Sequence, residues 1–250
     1  MKKLIIAFVL LSSISYSQTA QRSALDLSLQ FFEAVRMNSP KASGYANELA
    51  RLDAKLLDKE LDNDDKILAF WMNIYNSNIQ YVLRKDSTLY QDRGAFFKAK
   101  QFTVAGELLS FDIVEHGILR KSKSKLSLGY FRKLRVSKFE RKLRIGRLDP
   151  RIHYALNCGA LSCPPVVAYH ADKVDQEMEK SVMTYLEKNV KVEEKVIMVP
   201  VLFSWFRADF GGKRGVKKFL LKRELITKED KEKELKFLDY DWTLDLDPYL

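Results

Sequence analysis

The chain has 250 residues, of which 46% are hydrophobic and 12% aromatic, with 10 glycines and 6 prolines. This composition is that of a globular protein with its own core, and it excludes a low-complexity or collagen-like chain. Two cysteines are too few for a disulfide scaffold but allow one bridge. The formal net charge is +10. The basic excess is local, because the segment Arg120–Arg147 is rich in Lys and Arg and has one acidic residue, Glu140.

Residues 1–17 have the pattern of a secretory signal peptide. Two lysines precede an apolar run over residues 4–11, and Ser15 and Ser17 are the small residues that a signal peptidase reads. The apolar run is too short for a permanent membrane anchor. We therefore expect cleavage before Gln18, an exported (periplasmic or secreted) protein, and no membrane span.

Helical spacing of apolar residues predicts a helix over residues 25–35 and another over residues 47–59. Asn63 or Asp62 can cap a third, longer helix over residues 64–84. The long helix is apolar on most sides, which is typical of a helix buried at the centre of a domain.

Three amide side chains interrupt the apolar surface of the long helix. Asn73, Asn76 and Gln80 are spaced by three and four residues, so they share one face. Buried amides need hydrogen-bond partners. One interpretation is a structural network that fixes neighbouring loops. The other is a polar stripe that lines a functional site.

Short strands and helices alternate through the rest of the chain. We predict a hairpin turning at Ala105–Gly106, a helix from Ser110 to Arg120, a helix over 173–189, a strand pair over 190–199, a helix from Pro200 to Asp209, and helices over 213–221 and 227–237.

This mixed order predicts an α+β fold, not a regular βαβ array. We expect a helix-rich single domain with short antiparallel strands around a buried central helix. Residues 18–60 would form an N-terminal helical segment, and residues 61–250 the globular domain.

Five separated phrases of the sequence match one known pattern. They are residues 69–76, 110–120, 149–165, 203–211 and 240–244. Together they resemble the family called domain of unknown function 547, from about residue 60 to the C-terminus, which would make this chain an exported bacterial member. Phe206 stands where the family usually has tyrosine, and Phe111 where it has an aliphatic residue. The resemblance implies no activity, so the chemistry below is inferred from residue types.

The segment 149–165 contains both cysteines and one of the three histidines. A cysteine enzyme needs a thiolate, a base beside it, and a group that orients the base. Asp112 and His116 are four residues apart on a predicted helix, so Asp112 can orient His116 as the base. His153 is a less direct partner of Cys158, because a turn would have to separate them.

Cys158 is the preferred nucleophile of the two thiols. Gly159 leaves room for a substrate beside it, whereas Pro164 restricts Cys163. Asn157 is a second possible orienting residue or oxyanion donor. Further candidates for lining the site are Asn73, Asn76, Arg151, Trp205 and Asp209.

Two other roles for the cysteines stay open. A Cys158–Cys163 disulfide would close a small loop, as an oxidising compartment favours. A zinc site would combine both cysteines with His116 and His153, but their spacing is wider than usual, so we predict no metal and no cofactor.

Two functions follow from these alternatives. One is a thiol-dependent hydrolase or acyltransferase that acts on a small-molecule or peptide substrate. The other is a non-enzymatic binding module with a Cys158–Cys163 disulfide and a basic contact surface.

The basic segment Arg120–Arg147 also has two interpretations. Phe131, Leu134, Phe139 and Leu143 alternate with Lys and Arg, as in a solvated amphipathic face that packs its apolar side on the domain. Alternatively, the segment binds an anionic partner such as lipid head groups or an acidic polymer. We do not expect nucleic acid as the partner of an exported chain.

Overall fold

The central element of the fold is the 22-residue helix α4 (Asp64–Lys85). The structure is a computed structural model that describes residues 22–250. The side chain of Asn63 accepts a hydrogen bond from the Lys66 N–H and caps the helix, as predicted. Most side chains of α4 are buried, which places the helix in the core of a helix-rich α+β domain. The predicted signal peptide lies outside the described residues.

The N-terminal segment folds as three helices, not two. α1 (Ala24–Arg36) packs along α4. The predicted helix over residues 47–59 is wrong in its continuity, because α2 (Ala42–Ala50) ends before α3 (Ala54–Glu60) begins. Asp53 explains the break: its carboxylate accepts hydrogen bonds from the first turn of α3 and so favours a new helix start.

The middle of the chain contains the predicted hairpin and a helix of unusual geometry. The hairpin pairs β1 (Phe102–Val104) with β2 (Glu107–Leu109). The predicted helix from Ser110 to Arg120 is present, but residues Ile113–Leu119 form a π-helix. The other helices are α5 (Arg93–Lys98), α6 (Lys138–Leu143), α7 (Val174–Asn189), α8 (Leu202–Trp205) and α9 (Gly212–Leu221).

A second, three-stranded sheet corrects two predictions. β3 (Lys191–Val192) pairs antiparallel with β4 (Val196–Pro200), as expected, but β5 (Glu234–Leu238) joins β4 in parallel. The predicted helix over 227–237 is therefore wrong, since pairing with β4 buries Leu235 and outweighs local helix propensity. Pro200 ends β4 and opens no long helix.

Two apolar clusters make up the core. The larger surrounds α4, and the smaller lies among α7, β4 and α9. The segment from Pro150 to Tyr154 is a short 3-10 helix that connects them, since Ile152 belongs to the first cluster and Tyr154 to the second. Among residues 22–250 no helix is long and apolar enough to span a bilayer.

Candidate active site

A cavity of about 330 Å³ lies where the two apolar clusters meet. Distant parts of the sequence line it: α4, the π-helix region, the 3-10 helix, the residues around Cys158, the turn after α8, and the C-terminal segment. The polar side chains on its wall are Tyr75, Asp112, Glu115, His116, Arg120, Lys125, His153, Cys158 and Tyr240. The cavity therefore brings together Cys158 and both histidines proposed as its partners.

The cysteine loop, residues 155–165, contains a disulfide between Cys158 and Cys163. Cys158 lines the cavity, whereas Cys163 is buried. The backbone N–H groups of Cys158 and Ala160 donate to Cys163 Sγ at 2.9 and 3.4 Å. The Tyr240 hydroxyl lies 3.1 Å from each sulfur. A thiolate that attacks from the cavity meets Cys158, and these donors would stabilise Cys163 as the leaving thiolate.

Two buried asparagines hold the cysteine loop in place. Asn76 of α4 accepts a hydrogen bond from the Asn157 N–H and donates one to the Ala155 carbonyl, both at 2.9 Å. Asn157 donates to the Pro164 carbonyl and accepts from the Gly159 N–H. Both amides are engaged with backbone, and neither lines the cavity. Their position supports the structural interpretation of the α4 stripe.

Asn73, at the start of the same stripe, binds a different loop. Its amide donates to the Tyr169 carbonyl and accepts from the Tyr169 N–H. Arg151 also lies away from the cavity, in an ion-pair cluster with Asp149, Asp175 and Glu179. The structure thus leaves both side chains outside the cavity wall.

Glu115 and His116 of the π-helix, and Arg120 directly after it, are ionisable side chains that line the cavity. π-helical turns are frequent at functional sites. His116 Nε2 lies 3.6 Å from Asp112 Oδ1, which is too long for a hydrogen bond. The predicted spacing thus places Asp112 beside His116, but not in hydrogen-bonding contact.

The tautomer of His116 follows from its neighbour Arg120. The Arg120 guanidinium lies 2.9 Å from His116 Nδ1. Arginine can only donate, so Nδ1 accepts and the proton of the neutral ring is on Nε2. Burial, with Arg120 next, lowers the pKa of His116 well below its ordinary value. His116 is therefore a neutral donor at Nε2, not a ready proton acceptor.

The ring of His153 is bound by a carboxylate, whereas the ring of His116 is bound by a guanidinium. His153 Nε2 lies 2.9 Å from Asp209 Oδ2 and the His153 ring stacks on Phe206, with centroids 3.7 Å apart. Burial acts to raise the pKa of Asp209, but hydrogen bonds from His153 and Arg120 outweigh it and hold that pKa below its ordinary value. The carboxylate thus accepts the Nε2 proton, which leaves Nδ1 unprotonated and able to act as a base.

His153 is neutral at physiological pH. Burial lowers its pKa to about 4, although the hydrogen bond to Asp209 acts in the opposite direction. The 3-10 helix that carries His153 ends at Tyr154, so a turn at Ala155 separates His153 from Cys158. The sequence spacing requires such a turn before His153 can act as a partner of Cys158.

Glu115 is an acidic group that the sequence prediction missed. It lines the cavity, its side chain is 16% exposed, and Tyr75 Oη lies 3.4 Å from its Oε2. Burial raises the pKa of Glu115 to about 7, against the lowering effect of Arg120. A carboxyl group with this pKa can donate or accept a proton near neutrality. The sequence signals for Glu115 were its place within the family phrase 110–120 and its position next to His116.

Arg120 and Asp209 form a buried ion pair beneath the cavity. Arg120 Nε donates to Asp209 Oδ2 at 2.6 Å, and neither side chain is more than 1% exposed. Gly129 packs directly on this pair: a Cβ there would lie 2.5 Å from Asp209 Oδ1 and 2.7 Å from Arg120 Nη2. The φ of Gly129 is also +86°, so two independent constraints favour glycine at this position.

Aromatic side chains form another part of the cavity wall. Trp205, after β4, and Tyr240 and Trp242, in the C-terminal segment, contact each other with ring centroids 4.7 to 5.6 Å apart. Trp205 was a predicted lining residue and lies there. The cavity therefore combines ionisable groups from the π-helix region with aromatic surface, as in many small-molecule sites.

Within residues 22–250, no group of three or more His, Cys, Asp or Glu side chains is arranged to hold a metal ion. The disulfide also occupies both sulfurs of the Cys₂His₂ alternative.

Comparison with known families gives one match. Residues 59–186, about half of the chain, match the family described as "Protein of unknown function, DUF547". The chain belongs to this family. No curated protein and no solved structure matches it.

The DUF547 match contains α4, the π-helix, His153 and the cysteine loop. Trp205 and Tyr240, which line the same cavity, lie beyond its C-terminal end, and so does Asp209, which lies beneath the cavity and binds His153. The site of this DUF547 protein is thus built from the matched region and from the chain that follows it.

Proposed function

We propose that this DUF547 protein is a thiol-dependent hydrolase or acyltransferase whose active site is the cavity at Cys158. The observation that carries the proposal is the Asp209–His153 pair, since Cys158 lines the same cavity and the ring nitrogen not bound to Asp209 can accept a proton. His116 was the base expected from the sequence, but its bond to Arg120 favours His153 in that role.

The resting protein contains the disulfide, so the reaction begins with its reduction. An external thiolate attacks Cys158 Sγ, the S–S bond breaks and Cys163 leaves as a thiolate. A second thiol of the reductant releases Cys158 as a thiol and becomes oxidised to a disulfide. The two N–H groups that donate to Cys163 Sγ support this direction of attack.

Acyl transfer then uses the freed thiol of Cys158. His153 takes its proton, the thiolate attacks the substrate carbonyl carbon, and the leaving alcohol or amine takes the proton back from His153. Water or another acceptor cleaves the thioester with the same base. The Nε2–H of His116 and the protonated form of Glu115 are donors for the developing oxyanion.

The cavity lining suits an acyl compound or short peptide with an apolar group. Trp205 and Trp242 offer aromatic surface, while Lys125 and Asp112 at the other side give a charged contact.

Single cysteine variants test the proposal. Cys163→Ser leaves Cys158 as a thiol without reductant, so it should react with iodoacetamide and hydrolyse some members of an activated-ester panel. Cys158→Ser is the matched control, because it also lacks the disulfide but should show neither reaction. His153→Gln should lower turnover by about a hundredfold or more and His116→Gln less. Equal turnover by both cysteine variants would overturn the proposal.

The second candidate is a non-enzymatic binding module, and the disulfide is the observation that favours it. In this case the bridge acts as a permanent clasp and the basic segment Arg120–Arg147 as a contact surface. Ligand binding by the oxidised protein that Cys158→Ser and Cys163→Ser weaken to the same extent, without turnover in any cysteine variant, would support it.

We also propose that the protein is exported and that residues 1–17 are removed. A disulfide is compatible with an oxidising compartment. Mass spectrometry of the protein from its native host should find Gln18 at the N-terminus and a mass about 2 Da below that of the dithiol form. An intact Met1 on cell-associated protein would contradict export.

A further inference from the structure

The basic loop, residues 122–135, is a preformed hairpin. The Ser124 N–H donates to the Phe131 carbonyl and the Lys133 N–H to the Ser122 carbonyl, both at 2.8 Å. Ser127 and the Lys123 ammonium bind backbone within the loop. These contacts fix the loop, so binding through its side chains would cost little backbone ordering.

The loop exposes apolar side chains in an unusual concentration. Leu134 is 102% exposed, Phe131 73% and Tyr130 57%, and Leu128 is exposed as well. Folding gains almost nothing from side chains that stay in water. A cluster of exposed apolar residues marks an interaction surface more often than a single one does.

Several cations in and shortly after the basic loop have no acidic partner among the described residues. Arg132, Arg135, Lys138 and Arg141 are exposed and make no ion pair within residues 22–250. Lys125 and Lys133 pair with Asp112 and Glu140. The unpaired cations make the surface complementary to a negative partner.

We propose that the basic loop docks on an anionic lipid bilayer, with Phe131 and Leu134 in the interface and Arg132 and Arg135 at the head groups. A bilayer surface offers both negative charge and an apolar layer, as interfacial segments with basic and apolar residues require. An acidic polysaccharide would satisfy the cations but leave the apolar side chains in water.

The loop also forms part of the cavity wall, through Lys125 and Leu128. The Ala208 N–H donates to the Leu128 carbonyl, which ties the loop to the turn that carries Phe206 and Asp209. Docking would therefore hold the cavity close to the lipid surface. The inference is independent of the proposed acyl transfer, because it concerns the outer face of the loop.

Vesicle flotation tests the proposal with the purified protein. It should float with phosphatidylglycerol-containing vesicles at low salt, weakly with pure phosphatidylcholine, and less as salt rises. Phe131→Ser/Leu134→Ser should weaken binding by about tenfold or more. The matched control is Met37→Ser/Leu56→Ser, which removes two exposed apolar side chains elsewhere and should float like the wild type.

Insertion has its own readout. Tryptophan at position 134 (Leu134→Trp) should be quenched by brominated acyl chains in anionic vesicles, beyond the quenching of the wild-type tryptophans.

Unchanged flotation of the Phe131→Ser/Leu134→Ser variant would mean charge attraction alone, and equal binding to neutral vesicles would remove the role of the cations. A dimer that this variant dissociates, with no flotation by the wild type, would assign the surface to a second copy. Each of these three results overturns the proposal.

Discussion

The cysteine loop and the histidine cluster (His116, Arg120, His153 and Asp209) are both buried and polar, but they are stabilised differently. Neutral amides hold the loop, and Asn76 both donates to and accepts from its backbone. The histidine cluster depends on ions, and Arg120 Nη2 and Asp209 Oδ1 have no hydrogen-bond partner among the described residues. An amide can pair with backbone in both directions, whereas arginine only donates and carboxylate only accepts. The cysteine loop is therefore a fixed structural framework. The histidine cluster retains polar groups that can still form hydrogen bonds.

The largest expected effect is the loss of the ion pair in the histidine cluster. Asp209→Ala leaves the buried Arg120 charge without its partner, which should lower the free energy of unfolding by about 3–5 kcal/mol. Urea unfolding at pH 7 measures the loss. Asp209→Asn keeps an acceptor oxygen and should lose less, and equal losses would show that charge contributes little here.

The framework should respond to the loss of a single amide. Asn76→Ala removes the partners of two buried backbone groups of the cysteine loop, so we expect a loss of about 2–4 kcal/mol. Asn78→Ala is the matched control, because among residues 22–250 the Asn78 side chain binds only the Ile74 carbonyl of its own helix. If the two variants unfold at the same urea concentration, Asn76 does not hold the loop.

A pH series separates two opposing titrations near the cluster. The folded pKa of His153 is lowered to about 4, so its contribution to stability is full above the unfolded pKa and is lost as pH falls toward 4. The folded pKa of Glu115 is raised to about 7, so ionising it costs stability as pH rises from about 4.5 to 7. The two effects oppose each other in the wild type.

Glu115→Gln removes only the loss of stability that comes from ionising Glu115. The difference in unfolding free energy between this variant and the wild type should grow with pH by up to about 3 kcal/mol between pH 4.5 and 7. Glu232→Gln, at an exposed position, should run parallel to the wild type. A difference that stays constant with pH would mean that Glu115 ionises normally.

The smallest effect is expected from the disulfide, because its loop is short. Cys158 and Cys163 are separated by five positions, so the chain-entropy relation gives about 2 kcal/mol for the bridge. Unfolding with and without reductant measures it. The Cys158→Ser/Cys163→Ser variant should be insensitive to reductant, and a much larger loss would make the bridge, not the asparagines, the main support of the loop.

Helix positions could be predicted where local signals agree. Asn63 as a cap and the apolar surface that follows it predicted α4 within one residue at its C-terminal end. The segment that became β5 could not be predicted in this way, because its Lys- and Glu-rich pattern favours a helix until β4 offers hydrogen bonds and a place for Leu235. Strand pairing depends on a partner that is distant in sequence.

Some residues that line the cavity could be selected from the sequence, but their contacts also depend on partners that are distant in sequence. Residue types were enough to select Cys158, His116 and His153 as candidates, and all three line one cavity. The sequence favoured His116 over His153 as the base, but this ranking could not include their tautomers, which depend on Arg120 and Asp209 in the folded chain. Glu115 was missed because its raised pKa comes from burial.

The sequence by itself determined the family resemblance, the buried central helix and the concentration of reactive side chains near Cys158. These features depend on local periodicity and on residue type, which are present in the chain before it folds. Only the tertiary structure decided that the cysteines form a disulfide, that Asn76 supports their loop, and that Asp209 binds His153. Hydrogen bonds, burial and pKa shifts arise from contacts between residues far apart in sequence, so they exist only in the folded protein.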